Sequence, residues 1–209
     1  MPRGDGRRGA PVTAKLLIDE FAPLADATLA QTIVVAAPPA VAFDAVYHLD
    51  LADVWRASLS LRALTTLREL PDKLGRRLRR DAAQAPAVLG DDDVSQYWVE
   101  LALKPDHEVV YGLVGRFFGA TMSLERVARE EFAAFRQPGY AKVVLAYSVR
   151  PYGSERCLLT AETRTVTTDE AARRAFLRYW RLIRRPARYL TGRILEAARA
   201  EAETRPAAR

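Results

Sequence analysis

The stretch TTDEAARRAFLRYWRLIRRPARYLTGRILEAARAEAETR (residues 167–205) decides the fold. Within it Ala172, Phe176, Tyr179, Trp180, Ile183, Ala187, Leu190, Ile194 and Ala198 recur at three- and four-residue steps. That period puts them on one face of a single long helix, with arginine dominating the other face. Thr167 is placed to cap the helix, with Glu170 reaching back to the free N–H of the cap. Asp169 and Glu170 also suit the positive end of the helix dipole. Pro186 conflicts with this pattern: it lacks a backbone N–H and crowds the preceding turn, which predicts a kink or a division into two helical halves.

Upstream of this helix the pattern changes to strands. Gln31, Thr32, Ile33, Val34 and Val35 form the centre of a first strand over residues 28–37, closed by Pro38 and Pro39. Val41, Phe43, Val46 and Tyr47 then predict a short helix through residue 49. A second helix starts at Asp53 and carries Trp55, Leu59, Leu61, Leu64, Leu67 and Leu70 as far as Pro71. Residues 71–94 are loop-like and form a candidate lid. Further strands follow at residues 95–103, 107–115, 121–127, 141–150 and 156–166. Their spacing and short turns favour an antiparallel meander over parallel βαβ units. The alternation places Tyr97, Val99, Leu101 and Leu103 on one side of their strand, opposite Gln96, Trp98, Glu100 and Ala102. The expected organisation is a flexible N-terminal arm (1–27), one domain (28–203) and a disordered tail (204–209).

The chain has 209 residues, of which 49% are hydrophobic, enough for one domain with a substantial core. No apolar run reaches the roughly 20 residues needed to cross a bilayer. Residues 1–9 lack the apolar stretch of a secretory signal. A cytoplasmic location is expected, and the single cysteine, Cys157, suits a reducing compartment. Residues 169–209 hold eleven arginines against five acids, a net of +6 that equals the charge of the whole chain. Arg173, Arg174, Arg178, Arg181, Arg184, Arg185 and Arg188 therefore offer a face for an anionic surface, either a membrane or nucleic acid without sequence specificity. The usage of 28 arginines to 4 lysines also fits a bias toward GC-rich coding, with the arginines merely solvated.

The order strand, two helices, about five or six antiparallel strands and a long helix resembles the helix-grip fold of the START-like (SRPBCC) superfamily. That superfamily includes polyketide cyclases and lipid-transfer domains. Residues 33–46 (IVVAAPPAVAFDAV) look like the family's first strand, proline turn and first helix. The hairpin of residues 147–163 and the closing helix with Phe176, Tyr179 and Trp180 fit as well. The resemblance covers residues 28–200 and implies an α+β domain: a curved antiparallel sheet, two short N-terminal helices, and one long C-terminal helix over an apolar cavity. It further implies a hydrophobic small molecule or lipid as ligand, with no cofactor. Some members are cyclases or hydrolases, so an enzyme of cyclase or dehydratase type is the alternative. The extended second helix and the insertion after it depart from compact members of the family.

Strand parity and helical spacing give the candidate ligand-binding set: Tyr97, Val99, Tyr111, Leu113, Leu145, Tyr147, Thr163, Phe176, Tyr179, Trp180 and Ile183. Arg164 joins the set if a bulge turns it into the cavity as an anion anchor; otherwise it points outward with Glu162. His107 adjoins a turn and is expected at the surface. Metal chemistry finds no support, because His48, His107 and Cys157 are far apart and no ligand spacing occurs. Gly112 and Gly115 are not part of a phosphate loop and suit a bent strand. Ligand identity and oligomeric state are not legible.

Overall fold

The computed structural model describes residues 15–49, 95–118 and 123–205. The helix predicted from Asp53 and the candidate lid at 71–94 lie outside the described residues. Helix α1 is Ile18–Phe21, strand β1 Ala27–Val35 and helix α2 Pro39–Tyr47. A 3-10 turn, Ser95–Tyr97, leads into β2 (Val99–Lys104), β3 (Glu108–Arg116) and the short β4 (Ser123–Glu125). Helix α3 is Arg129–Phe132, followed by β5 (Ala141–Pro151), β6 (Cys157–Thr167) and the long α4 (Glu170–Thr204). The strands form one antiparallel sheet in the order β1-β6-β5-β3-β2, with β4 also paired to β3. This is an α+β architecture consistent with a helix grip.

Alternation assigns each side chain to one of two faces. On the concave face, Val109, Tyr147, Val149, Cys157, Leu159 and Ala161 meet α2 and the C-terminal half of α4 in a first core. Ala42 and Ala45 of α2 and Ala198 and Ala202 of α4 belong to this core, and their small side chains allow the two helices to approach closely. Farther along the same face, Phe117, Phe118 and Ala141 pack with Ala172 and Phe176 in a second core. The convex face carries a third, built from Ile18, Leu101, Val110, Phe132, Tyr140 and Val144. The ring of Phe132 occupies the space above Gly112, where a Cβ would sit 2.5 Å from it. Gly112 is therefore demanded by this close approach, beyond any role in strand bending.

Helix α4 runs unbroken for 35 residues, a length of about 50 Å, so the predicted division at Pro186 does not occur. The donor that Pro186 lacks would have served the carbonyl of Leu182, and Leu182 is 58% exposed, where water can take its place. Asp169, rather than Thr167, is the cap; its carboxylate accepts from the N–H of Ala172 at 2.8 Å and from that of Gly139. Those backbone bonds hold the Asp169 carboxyl below the ordinary range. Thr167 instead belongs to β6 and donates to Asp26.

The N-terminal arm is part of the packed structure from residue 16 onward. Ile18 is fully buried on the convex face, and Glu108 accepts from the N–H groups of Leu17 and Ile18 at 2.9 and 3.2 Å. Arg164 completes this clamp, donating to Asp19 at 2.7 Å, to the carbonyl of Ala22 at 2.9 Å and to Glu162 at 2.7 Å. The register of β6 against both neighbours runs without a bulge, so Arg164 stays on the convex side and is not a cavity anchor.

The bond from Arg164 holds the Asp19 carboxyl below its ordinary 3.8, against a smaller upward push from burial. A depressed folded-state value means that the clamp is complete above 3.8 and is lost as pH falls through the lower folded value. Hydrogen exchange should therefore show residues 16–22 protected at neutral pH and released in acid before the sheet opens, with Arg164→Ala releasing them at neutral pH. An arm that stays protected in that variant would refute the clamp.

Candidate functional site

The concave face holds two cores with a belt of partly exposed residues between them. Leu29, Gln31 and Thr163 line the sheet side of this belt, and Ile183 and Ala187 continue the sheet-facing stripe of α4 above it. None of these five belongs to either core. Tyr111 and Leu145, paired across β3 and β5, border the first core and are likewise only partly covered. Val143, Tyr179 and Trp180 border the second.

Polar groups concentrate on one side of the belt. Glu100 pairs with Tyr111 across β2 and β3, and the Tyr47 hydroxyl of α2 donates to Glu100 at 3.1 Å. Tyr147 lies diagonal to Tyr111 on the neighbouring strand and is 4% exposed. Among the described residues, the Tyr147 hydroxyl has no hydrogen-bond partner. Burial, with the Glu100 charge as a lesser cause, pushes Tyr111 up to about 12. Tyr147 is pushed higher still, chiefly by burial, and Tyr179 to about 12 for the same reason. The three phenols stay protonated at neutral pH and present O–H donors.

The bulge in β2 produces this constellation. The register shifts between Glu100 and Ala102, so Leu101 and Ala102 both join the convex core while Glu100 turns to the concave side. Sequence alternation places Glu100 opposite Val99 and Leu101, with Val99 facing a ligand. Val99 in fact packs with the convex core. The uninterrupted apolar run Leu101-Ala102-Leu103 is the available signal, because three such residues in succession break the period of two.

The remaining predicted residues separate clearly. Tyr111, Leu113, Leu145, Tyr147 and Thr163 share the concave face, with Leu113 buried. Phe176 is fully buried in the second core, stacked on Trp180 with ring centroids 6.0 Å apart. Tyr97 lies in the 3-10 turn, its ring under the Arg126 guanidinium at 5.4 Å. His107 is exposed, its Nδ1 3.0 Å from the carbonyl of Pro105. Cys157 is buried in the first core, where burial pushes its thiol up. Among the described residues no group of three His, Cys, Asp or Glu side chains is arranged to hold a metal, and no helix is long and apolar enough to cross a membrane.

An open groove at the start of α4 is lined in part by Leu24, Asp26, Thr167, Asp169 and Arg173. Its charged groups are engaged with one another: Asp26 accepts from Thr167 at 2.7 Å and pairs with Arg173 at 2.8 Å, while Asp169 caps the helix. The groove works as a joint between arm, sheet and helix.

No family model matches the chain, and no curated protein matches its sequence. Among solved structures it is similar to a protein of Thermus thermophilus (10% identity, 84% of this chain and 97% of that one, TM-score 0.31). It is also similar to the Zhui aromatase/cyclase of a Streptomyces species (12% identity, 85% and 93% coverage, TM-score 0.30). A third is a protein of Rhizobium loti (14% identity, 84% and 96% coverage, TM-score 0.31). Identities this low transfer no residue's role to this chain.

Because the Tyr147 hydroxyl has no partner among the described residues, its removal relieves an unmet desolvation cost of about 1–3 kcal/mol. Chemical denaturation should then find Tyr147→Phe at least as stable as the parent. A loss of more than about 1 kcal/mol would show that the hydroxyl already has a structural partner.

Proposed function

We propose that the concave face and α4 together hold an apolar small molecule, of lipid or polyketide type, without a cofactor. The observation that carries this reading is the partly exposed apolar belt between two packed cores, bordered by a buried phenol with no partner among the described residues. Leu29, Leu145 and Ile183 offer apolar surface, and each Å² of ligand they cover contributes about 25 cal/mol. Tyr111 and Tyr147 donate to a ligand carbonyl or hydroxyl and set its orientation.

A second reading, an enzyme of cyclase or dehydratase type, draws on Glu100. It is the one carboxylate on the concave sheet surface among the described residues, and it sits beside two phenols able to stabilise an enolate oxygen. His107 and Arg164, the other candidates for such chemistry, face elsewhere. Glu100→Gln separates the readings, since a pure carrier keeps its ligand unchanged while an enzyme loses turnover of a poly-β-ketone.

Native mass spectrometry followed by organic extraction should recover a co-purified apolar compound, and the emptied protein should take up Nile red saturably. Ile183→Trp, which fills the belt, should abolish uptake with the helical content preserved. Tyr147→Phe should weaken a carbonyl-bearing ligand about tenfold, the value of one hydrogen bond. The absence of both a compound and saturable uptake, or uptake indifferent to Ile183→Trp, would reject the reading.

A further inference from the structure

Between Glu170 and Glu196 the long helix contains no acidic residue, and from Arg178 to Arg193 it contains six arginines. Arg178, Arg181, Arg185 and Arg188 follow one another at three- and four-residue steps, so they form a stripe, flanked by Arg184 and Arg193. All six are exposed. Their neighbours in the helix behave differently: Arg173 and Arg174 pair with Glu170, Arg173 also with Asp26, and Arg199 with Glu196. Among the described residues no carboxylate pairs with the central six. Like charges three and four apart on a helix repel, so this stripe works against the helix in water. Pro186 lies within the same segment and also disfavours it.

The stripe is not purely charged. Leu182 is 58% exposed and Tyr189 49% exposed, and both fall between the arginines at the same helical steps. A long side chain of each kind, apolar and aromatic, set in a field of guanidinium groups on the outside of a continuous helix, matches the interface of an anionic bilayer. There phosphates take the arginines while Leu182 enters the acyl boundary. A duplex would take the arginines equally well but gives an exposed leucine no apolar environment. The stripe faces away from the sheet, so its occupancy is independent of the concave belt.

We infer that the Arg178–Arg193 stripe of α4 docks this protein on anionic phospholipid membranes, with the helix lying in the interfacial plane. The experiment is flotation of the full chain with vesicles of phosphatidylcholine alone and with vesicles containing about a third phosphatidylserine, over a range of salt. The expected result is binding to the anionic vesicles only, weakening as salt rises. The combined variant Arg178→Gln, Arg181→Gln, Arg185→Gln, Arg188→Gln should lose more than about 100-fold in affinity. Leu182→Ser should weaken binding without changing its salt dependence. Circular dichroism checks that each variant keeps its helix, and Arg199→Gln, whose guanidinium pairs with Glu196 outside the stripe, provides a folded control that binds nearly as well as the parent. Failure to bind anionic vesicles at low ionic strength would overturn the proposal, as would undiminished binding by the combined variant. Tighter binding to duplex DNA than to vesicles at equal phosphate, with Leu182→Ser having no effect, would overturn it in favour of a nucleic-acid surface.

Discussion

The structure depends on the fastening of one long helix at its two ends. At its start, Asp169 takes the N–H groups of Ala172 and Gly139, Thr168 exchanges hydrogen bonds with Tyr140, and Arg173 reaches Asp26. At its finish, Glu203 accepts from the N–H of Ala36 at 2.9 Å, Arg205 pairs with Asp44, and Ile194, Leu195, Ala198 and Ala202 enter the first core. Between these anchorages the polar tie to the sheet, among the described residues, is the bond from Gln31 to the carbonyl of Arg188, at 2.6 Å. A beam held at both ends can span a surface that it does not fully fill. The partly exposed belt is the consequence.

This arrangement assigns different work to the two faces of the sheet. The convex face is closed by Ile18, Phe132 and the Glu108 and Arg164 clamps, which hold the arm and α3 against it. Among the described residues, the concave face is closed only at its ends. Rigidity on one side permits incomplete packing on the other, because the sheet keeps its curvature without needing a filled interior there. The tyrosines along the open part are neutral donors at neutral pH, suited to orienting a bound group and unsuited to removing a proton from it.

Much of this was legible in the sequence because it follows from period alone. Among the described residues, the order of the strands, the parity of β3, β5 and β6, and the apolar stripe of α4 all come from spacing, and each is present in the structure. The exceptions share a cause, namely contacts between residues distant in the chain. Arg164 is bound by Asp19, 145 positions away, and nothing local announces that pairing. The cap moved from Thr167 to Asp169 because Asp26 claims Thr167 from across the fold. Glu100 reached the concave face through a bulge whose only trace was an apolar triplet, and with it came the link to Tyr47 that spacing could not reveal.

Amide hydrogen exchange along α4 tests the two-point fastening most directly. The account predicts slow exchange in residues 172–177 and 194–202, where the helix enters the two cores, and distinctly faster exchange in residues 180–190, which span the belt around Pro186. Uniform slow exchange along the whole helix would contradict it, because the middle would then be packed as firmly as the ends.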